Sequence, residues 1–284
     1  MTAITAITAI TAITTVPGVP PGPPIALHRS RIMNRVRHAL ALALAPLLTS
    51  LLAACGGGGG GGGGGGTDTA APNSALEQVA PGDWLVIGTS TAAGIGAPAG
   101  EGWADLLARA VAGDGVRVIN AARAGTLTYH WLPAATPRPP QRPATIAALD
   151  IRSLMPEKPR LVILGFPSND AMAGIPARET IDNLLLLRRA ALERGAVVLV
   201  SSSQPRNDAD AAQRAVMQAV DAAMSADLGA CFVDVRGDLL GNDGGLKPAL
   251  AAGDGVHLNA QGHRRLFERI MQALTGGHCR PPPR

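Results

Sequence analysis

Residues 83–96 read DWLVIGTSTAAGIG: a short apolar run that stops at a glycine and gives way to small and hydroxylated residues. The run is too brief for a helix and apolar on both of its alternating faces, which is how a strand buried on both sides of a sheet reads. The pattern recurs at VRVIN (116–120), RLVILGF (160–166), AVVLVSS (196–202) and ACFVDV (230–235). Between these runs lie segments with helical spacing. GWADLLARAVAG places Trp103, Leu106, Leu107, Ala110 and Val111 on one stripe, and ETIDNLLLLRRAALERG ends on Gly195, a helix stop. DADAAQRAVMQAVDAAMSADLG and NAQGHRRLFERIMQAL complete the set. Strand–helix alternation of this kind predicts a five-stranded parallel sheet covered on both faces, a three-layer α/β/α sandwich over residues 82–275.

The residues before this domain do not read as fold. TAITAITAITAIT from Thr2 is a tandem repeat and VPGVPPGPP follows it, neither able to build a core. Arg29, Arg31, Arg35 and Arg37 then precede ALALALAPLLTSLLAA (39–54), an apolar run shorter than the roughly 20 residues that span a bilayer. A basic region followed by such a run is a signal-peptide pattern. Its end, LLAAC, resembles a bacterial lipoprotein processing box, which implies cleavage before Cys55 and lipidation of that thiol. Because MNRVRHALALALAPLL from Met33 is a signal peptide by itself, translation is expected to start at Met33, with residues 1–32 an over-extended start and 33–54 the signal peptide. Unbroken glycine from Gly56 to Gly66 then suits a flexible tether over 55–81, between lipid and domain. The reading is a protein anchored in the bacterial envelope and facing the periplasm or exterior, at the outer rather than the inner membrane. GGHCRPPPR is read as a loose tail from 276 to 284, and whether Cys231 pairs with Cys279 is left open.

In parallel sheets functional groups gather beyond the carboxyl ends of the strands. Here those positions are Thr89–Ser90, Asn120–Gly125, Phe166–Asp170, Ser201–Gln204 and Asp234–Gly237, joined by GDGVHLNAQGH before the last helix. Asp254 and His257 stand three residues apart with Gly255 between, a spacing at which the carboxylate can take the imidazole Nδ1–H and leave Nε2 as a base. Such a base is what a serine hydroxyl needs to become a nucleophile, and Ser90 is the candidate. The Ser90 and Gly125 backbone N–H groups and the Asn169 side-chain amide are candidate donors to an oxyanion.

GTS (88–90), NAARAG ending at Gly125, GFPSND with Asn169 and DGVHLN with Asp254 and His257 together resemble the four blocks of the SGNH, or GDSL-type, hydrolases. The resemblance implies a flavodoxin-like α/β/α sandwich, Ser90 as nucleophile, His257 as base oriented by Asp254, and an oxyanion hole of Ser90, Gly125 and Asn169. Two positions depart from the pattern: Thr89 stands where aspartate is frequent, and Pro167 takes a glycine position in the third block. Ala92 occupies the second glycine position of a nucleophile elbow, so the α/β-hydrolase pattern does not fit.

The expected activity is hydrolysis of carboxylic esters through an acyl-serine, with O-acyl transfer on the same triad or a non-catalytic surface-binding role as alternatives. A net charge of +4, with much of the excess in the terminal segments, and only 2% aromatic residues give no nucleic-acid signature. No histidine spacing suggests a metal and no glycine motif a nucleotide, so no cofactor is expected. The chain is read as a monomer acting on a small-molecule, glycan or lipid ester. Tyr129, His130 and Trp131, just after Gly125, are candidates for the substrate pocket.

Overall fold

The structure is a computed structural model that describes residues 81–166 and 168–279. The repeat, signal-peptide, Cys55 and polyglycine readings therefore lie outside the described residues. Five strands, β1 (Gly82–Gly88), β2 (Val116–Asn120), β3 (Leu161–Gly165), β4 (Val197–Ser201) and β5 (Phe232–Val233), form one parallel sheet in the order β2-β1-β3-β4-β5. This is the flavodoxin-like arrangement implied by the resemblance. The chain steps outward from β1 to β2 and returns to β3, so the order reverses between β1 and β3, where open α/β sheets form their ligand crevice.

Alternation along the strands sorts the core into two layers. Leu85, Ile87, Val162, Leu164, Val198 and Val200 point to one face and pack under α4 (Ala177–Glu193) and α5 (Ala211–Leu228) through Leu184, Leu187, Val220 and Met224. Trp84, Val86, Leu161, Ile163 and Leu199 point to the other and meet α1 (Trp103–Ala110) and α7 (Ala260–Thr275) through Trp103, Leu107, Leu266 and Ile270. Every residue from Trp84 to Ile87 is fully buried, which is why DWLVIG shows no polar alternation. β2, at one edge, is only half-buried. Among the described residues no helix is long and apolar enough to cross a membrane.

Short helices add to the expected set: α2 (Ile151–Leu154), α3 (Ser168–Met172) and α6 (Arg236–Leu239). The C-terminal reading needs correction. Gly276–Cys279 are not a loose tail: Cys279 forms a disulfide with Cys231, 48 residues earlier, and packs against both core layers. The bond ties the residues after α7 to the start of β5 and answers the question left open by composition.

Candidate active site

Ser90 stands two residues beyond the end of β1, at the crevice between β1 and β3. The three hydroxyl residues of this turn separate cleanly. Thr89 is buried, Thr91 Oγ1 donates to Gln204 Oε1 at 2.6 Å, and Ser90 between them stays half-exposed. The turn continues to Gly96, where the Leu258 carbonyl and His257 Cβ lie so close that a side chain would collide with them. Glycine at 96 thus lets the loop after Ser90 lie directly on the backbone of the Asp254–His257 turn. From beneath, His263 Nδ1 accepts from the Trp103 N–H at 3.3 Å, which leaves its Nε2–H to donate to the Ile95 carbonyl at 3.1 Å. His263 is fully buried on α7, and burial lowers its pKa, so it acts as a neutral link.

The Asp254–His257 turn has the geometry read from its spacing. Asp254 Oδ2 lies 2.6 Å from His257 Nδ1, while Oδ1 accepts the backbone N–H groups of Val256 at 2.9 Å and His257 at 2.8 Å. Three donors on one carboxylate, the His257 N–H foremost, hold its pKa well below the usual carboxylate range even though its side chain is half-exposed. The Nδ1 contact holds the imidazole, and among the described residues its Nε2 makes no hydrogen bond. Asn259, two residues on, caps α7 by accepting the Gly262 N–H at 3.0 Å, which sets where the turn ends and the helix begins.

The oxyanion candidates sit on the neighbouring loops. Gly125 adopts φ +74°, a left-handed backbone that disfavours other residues, with open space where a side chain would stand. Among the described residues the backbone N–H groups of Ser90 and Gly125 donate to no protein acceptor. Asn169, on α3, gives one amide proton to the Thr126 carbonyl at 3.1 Å, leaving the other free, and its Oδ1 accepts Arg206 Nη1 at 3.1 Å. Its neighbour Asp170 joins these two loops from inside. Fully buried, Asp170 accepts the Thr128 N–H at 2.9 Å, the Thr128 hydroxyl, and the Thr180 hydroxyl of α4 at 3.1 Å. Asn183 completes the network by donating to Thr128 Oγ1 at 2.9 Å. Burial raises the Asp170 pKa, opposed by the hydroxyl and amide donors.

Two of the three pocket candidates, Tyr129 and Trp131, are buried, and His130 between them is half-exposed. Trp131 has no exposed surface and stacks edge-on against Phe166 in the core, ring centroids 5.6 Å apart. Tyr129 is buried and its hydroxyl donates to Glu179 at 2.6 Å, the same carboxylate that Arg142 grips at 2.7 and 2.8 Å. Burial and that carboxylate push the Tyr129 pKa up to about 12. His130 Nδ1 accepts the Leu127 N–H at 2.9 Å, and burial lowers its pKa. The expectation is corrected for Tyr129 and Trp131: a 3₁₀ turn over Thr128–Trp131 carries both inward as packing and strapping groups.

Residues that sequence reasoning did not single out complete the rim. Asn120 Nδ2 donates to the Ala92 carbonyl at 2.8 Å, holding the Ser90 turn against β2. Gln204, almost buried beyond β4, takes the Thr91 hydroxyl proton and donates to the Val256 carbonyl, so a single side chain bridges the neighbours of Ser90 and His257. Its only sequence signal was its position at a strand end.

The sequence model of the GDSL-like Lipase/Acylhydrolase family matches residues 86–265, from inside β1 into α7. The chain belongs to this family. It is an enzyme of the SGNH type, acting on ester bonds. Among curated relatives, Esterase TesA of Pseudomonas aeruginosa is 28% identical over 200 residues, covering 70% of this chain and 90% of that protein. A crystal structure of TesA superposes with a TM-score of 0.51 at 23% identity, covering 69% of this chain and 99% of that one. A GDSL-like lipase from Bacteroides thetaiotaomicron gives 0.51 at 18% identity, covering 68% and 88%. At these identities the two superpositions show the shared fold.

Proposed function

We propose that the protein is an envelope esterase that cleaves small carboxylic esters through an acyl–Ser90 intermediate. The observation that carries this reading is the 2.6 Å Asp254–His257 pair lying on the loop that follows Ser90. His257 Nε2 takes the Ser90 hydroxyl proton as Oγ bonds to the acyl carbon. Charge develops on the former carbonyl oxygen and is met by the Ser90 and Gly125 N–H groups and the free Asn169 amide proton. Collapse of the tetrahedral intermediate expels the alcohol, which takes the proton from His257. Water then enters, loses its proton to the same base, and attacks the acyl carbon. Breaking the acyl–Oγ bond releases the acid and returns the proton to Ser90. Asp254 stays ionised throughout and stabilises the imidazolium.

Two features support export and anchoring. The Cys231–Cys279 disulfide fits an oxidising compartment. LLAAC with a glycine run fits a lipid on Cys55 and a tether that lets the domain stand away from the membrane. Buried acyl methylenes contribute about 0.8 kcal/mol each, so several chains hold firmly.

Turnover of a short-chain aryl ester by the full chain tests the catalytic part: activity is expected, with Ser90→Ala reducing it to background. Full activity in Ser90→Ala would overturn it. Metabolic labelling with a fatty acid tests the anchor, with label expected on the wild-type chain and none on Cys55→Ala. Equal labelling of the two would reject it.

A further inference from the structure

The loop between β4 and α5 carries no recognisable motif, yet it touches the turn that holds Ser90, the Asp254–His257 turn and Asn169. Gln204 reaches Thr91 and Val256, the Asn207 N–H donates to the Gly255 carbonyl at 2.8 Å, and Arg206 reaches Asn169. From these contacts we infer that Arg206 is a positioning residue for the oxyanion hole, holding the Asn169 amide in the orientation that offers an N–H to the developing oxyanion. The inference rests on the reading of Ser90 as nucleophile.

A side-chain amide has two faces of nearly equal size and opposite polarity, and turning it over exchanges donor for acceptor. In the wrong orientation Asn169 would present a carbonyl oxygen where negative charge forms. Two contacts oppose that. Nδ2 donates to the Thr126 carbonyl at 3.1 Å, and Oδ1 accepts Arg206 Nη1 at 3.1 Å. A flipped amide would set acceptor against acceptor at Thr126 and donor against donor at Arg206. Arginine, with five donors and no acceptor, cannot accommodate the flip by changing roles.

The guanidinium is itself fixed. Its Nε and Nη2 bind the two carboxylate oxygens of Asp208 at 2.9 and 2.7 Å, the bidentate geometry that sets its plane. The Arg206 side chain is only 12% exposed, against 44% for Asp208, so the clamp stands on the solvent side and the working Nη1 points inward. Arg206 contributes a second effect through the same bond. A cation donating to the amide oxygen draws electron density from the amide and makes the free N–H a stronger donor. Arg206 acts through Asn169, and its removal is felt only where Asn169 is present.

The test is a double-mutant cycle on the full chain with a short-chain aryl ester, reading kcat, KM and melting temperature. Loss of a whole oxyanion donor costs about 10²–10³-fold in kcat, so Arg206→Met is expected to cost about 10–50-fold with KM within about 2-fold. Arg206→Lys, which keeps one donor but not the bidentate clamp, is expected to recover part of the loss. In an Asn169→Ala background Arg206→Met is expected to cost less than about 2-fold more. The same loss in both backgrounds would overturn the inference, since Arg206 would then act elsewhere. Should Arg206→Met lower the melting temperature sharply, Asp208→Asn, which loosens the clamp alone, decides: a several-fold fall in kcat that vanishes with Asn169→Ala supports the inference, and an unchanged kcat rejects it. Full activity in Ser90→Ala would instead reject the parent reading, whatever Arg206 does.

Discussion

Asp254 and Asp170 are both aspartates beyond the ends of sheet strands, and each accepts three hydrogen bonds from backbone and side-chain donors. Their surroundings send them in opposite directions. Asp254 is half-exposed, its donors outweigh desolvation, and its pKa falls; it remains a charge available to His257. Asp170 has no exposure, desolvation outweighs its donors, and its pKa rises; it is a joint between the Gly125 loop, α3 and α4. Hydrogen-bond count does not distinguish the carboxylate proposed for catalysis from the structural one, but solvent access and the partner do.

The sharpest way to break this contrast is to remove each carboxylate. Asp254→Asn, which removes the charge but keeps an acceptor for the Val256 and His257 N–H groups, is expected to lower kcat about 10³–10⁴-fold while the melting temperature falls by only a few degrees. A large fall in melting temperature would place Asp254 among the structural groups. Asp170→Ala leaves buried Thr128 and Thr180 hydroxyls without their acceptor, and is expected to cost about 2–4 kcal/mol in denaturant unfolding. Unchanged stability there would remove the architectural role.

Away from the rim, Cys279→Ser tests the corrected C-terminus. Opening a link between residues 48 apart in sequence should cost about 2–4 kcal/mol in unfolding experiments, with turnover retained at low temperature. Stability equal to wild type would return residues 276–279 to the status of a tail.

The smallest effect concerns Asp221, which accepts the Ser203 N–H at 2.8 Å and the Ser203 hydroxyl at 2.9 Å. Burial pushes its pKa up from 3.8 to about 6, against the nearby Arg236 guanidinium. A carboxyl whose folded pKa is raised binds more protons folded than unfolded in this window. Its contribution therefore favours folding at low pH and is lost as pH climbs from 3.8 to about 6. Asp254, shifted the other way, favours folding above its unfolded value and loses that contribution only in stronger acid. Unfolding free energies of wild type and Asp221→Asn, compared between pH 4 and pH 7, should differ in slope by about 2 kcal/mol across the window. Parallel curves would show that Asp221 does not titrate there.

How much of this was legible depended on range. The five strands and the long helices carry their own periodicity, so DWLVIG and its counterparts placed the sheet to within a residue or two, except that β5 is only Phe232–Val233. Helices α2, α3 and α6 are at most five residues long and too short to show a 3.6-residue repeat. The Asp254–His257 pair was readable because both members share one turn. Arg206 and Gln204 were not, because they meet partners 37, 52 and 113 residues away. The assignment of Tyr129 and Trp131 failed for a related reason: following Gly125 in the chain says nothing about which way a 3₁₀ turn points its side chains. Likewise the Gly- and Pro-rich composition around Cys279 concealed a covalent attachment made across the fold.

Incubation of the full chain with a serine-reactive fluorophosphonate, followed by peptide mapping, tests the central claim most directly. The expected result is a single adduct on Ser90, absent from Ser90→Ala and formed far more slowly in His257→Ala. An adduct on another serine, or a labelling rate indifferent to His257, would contradict it.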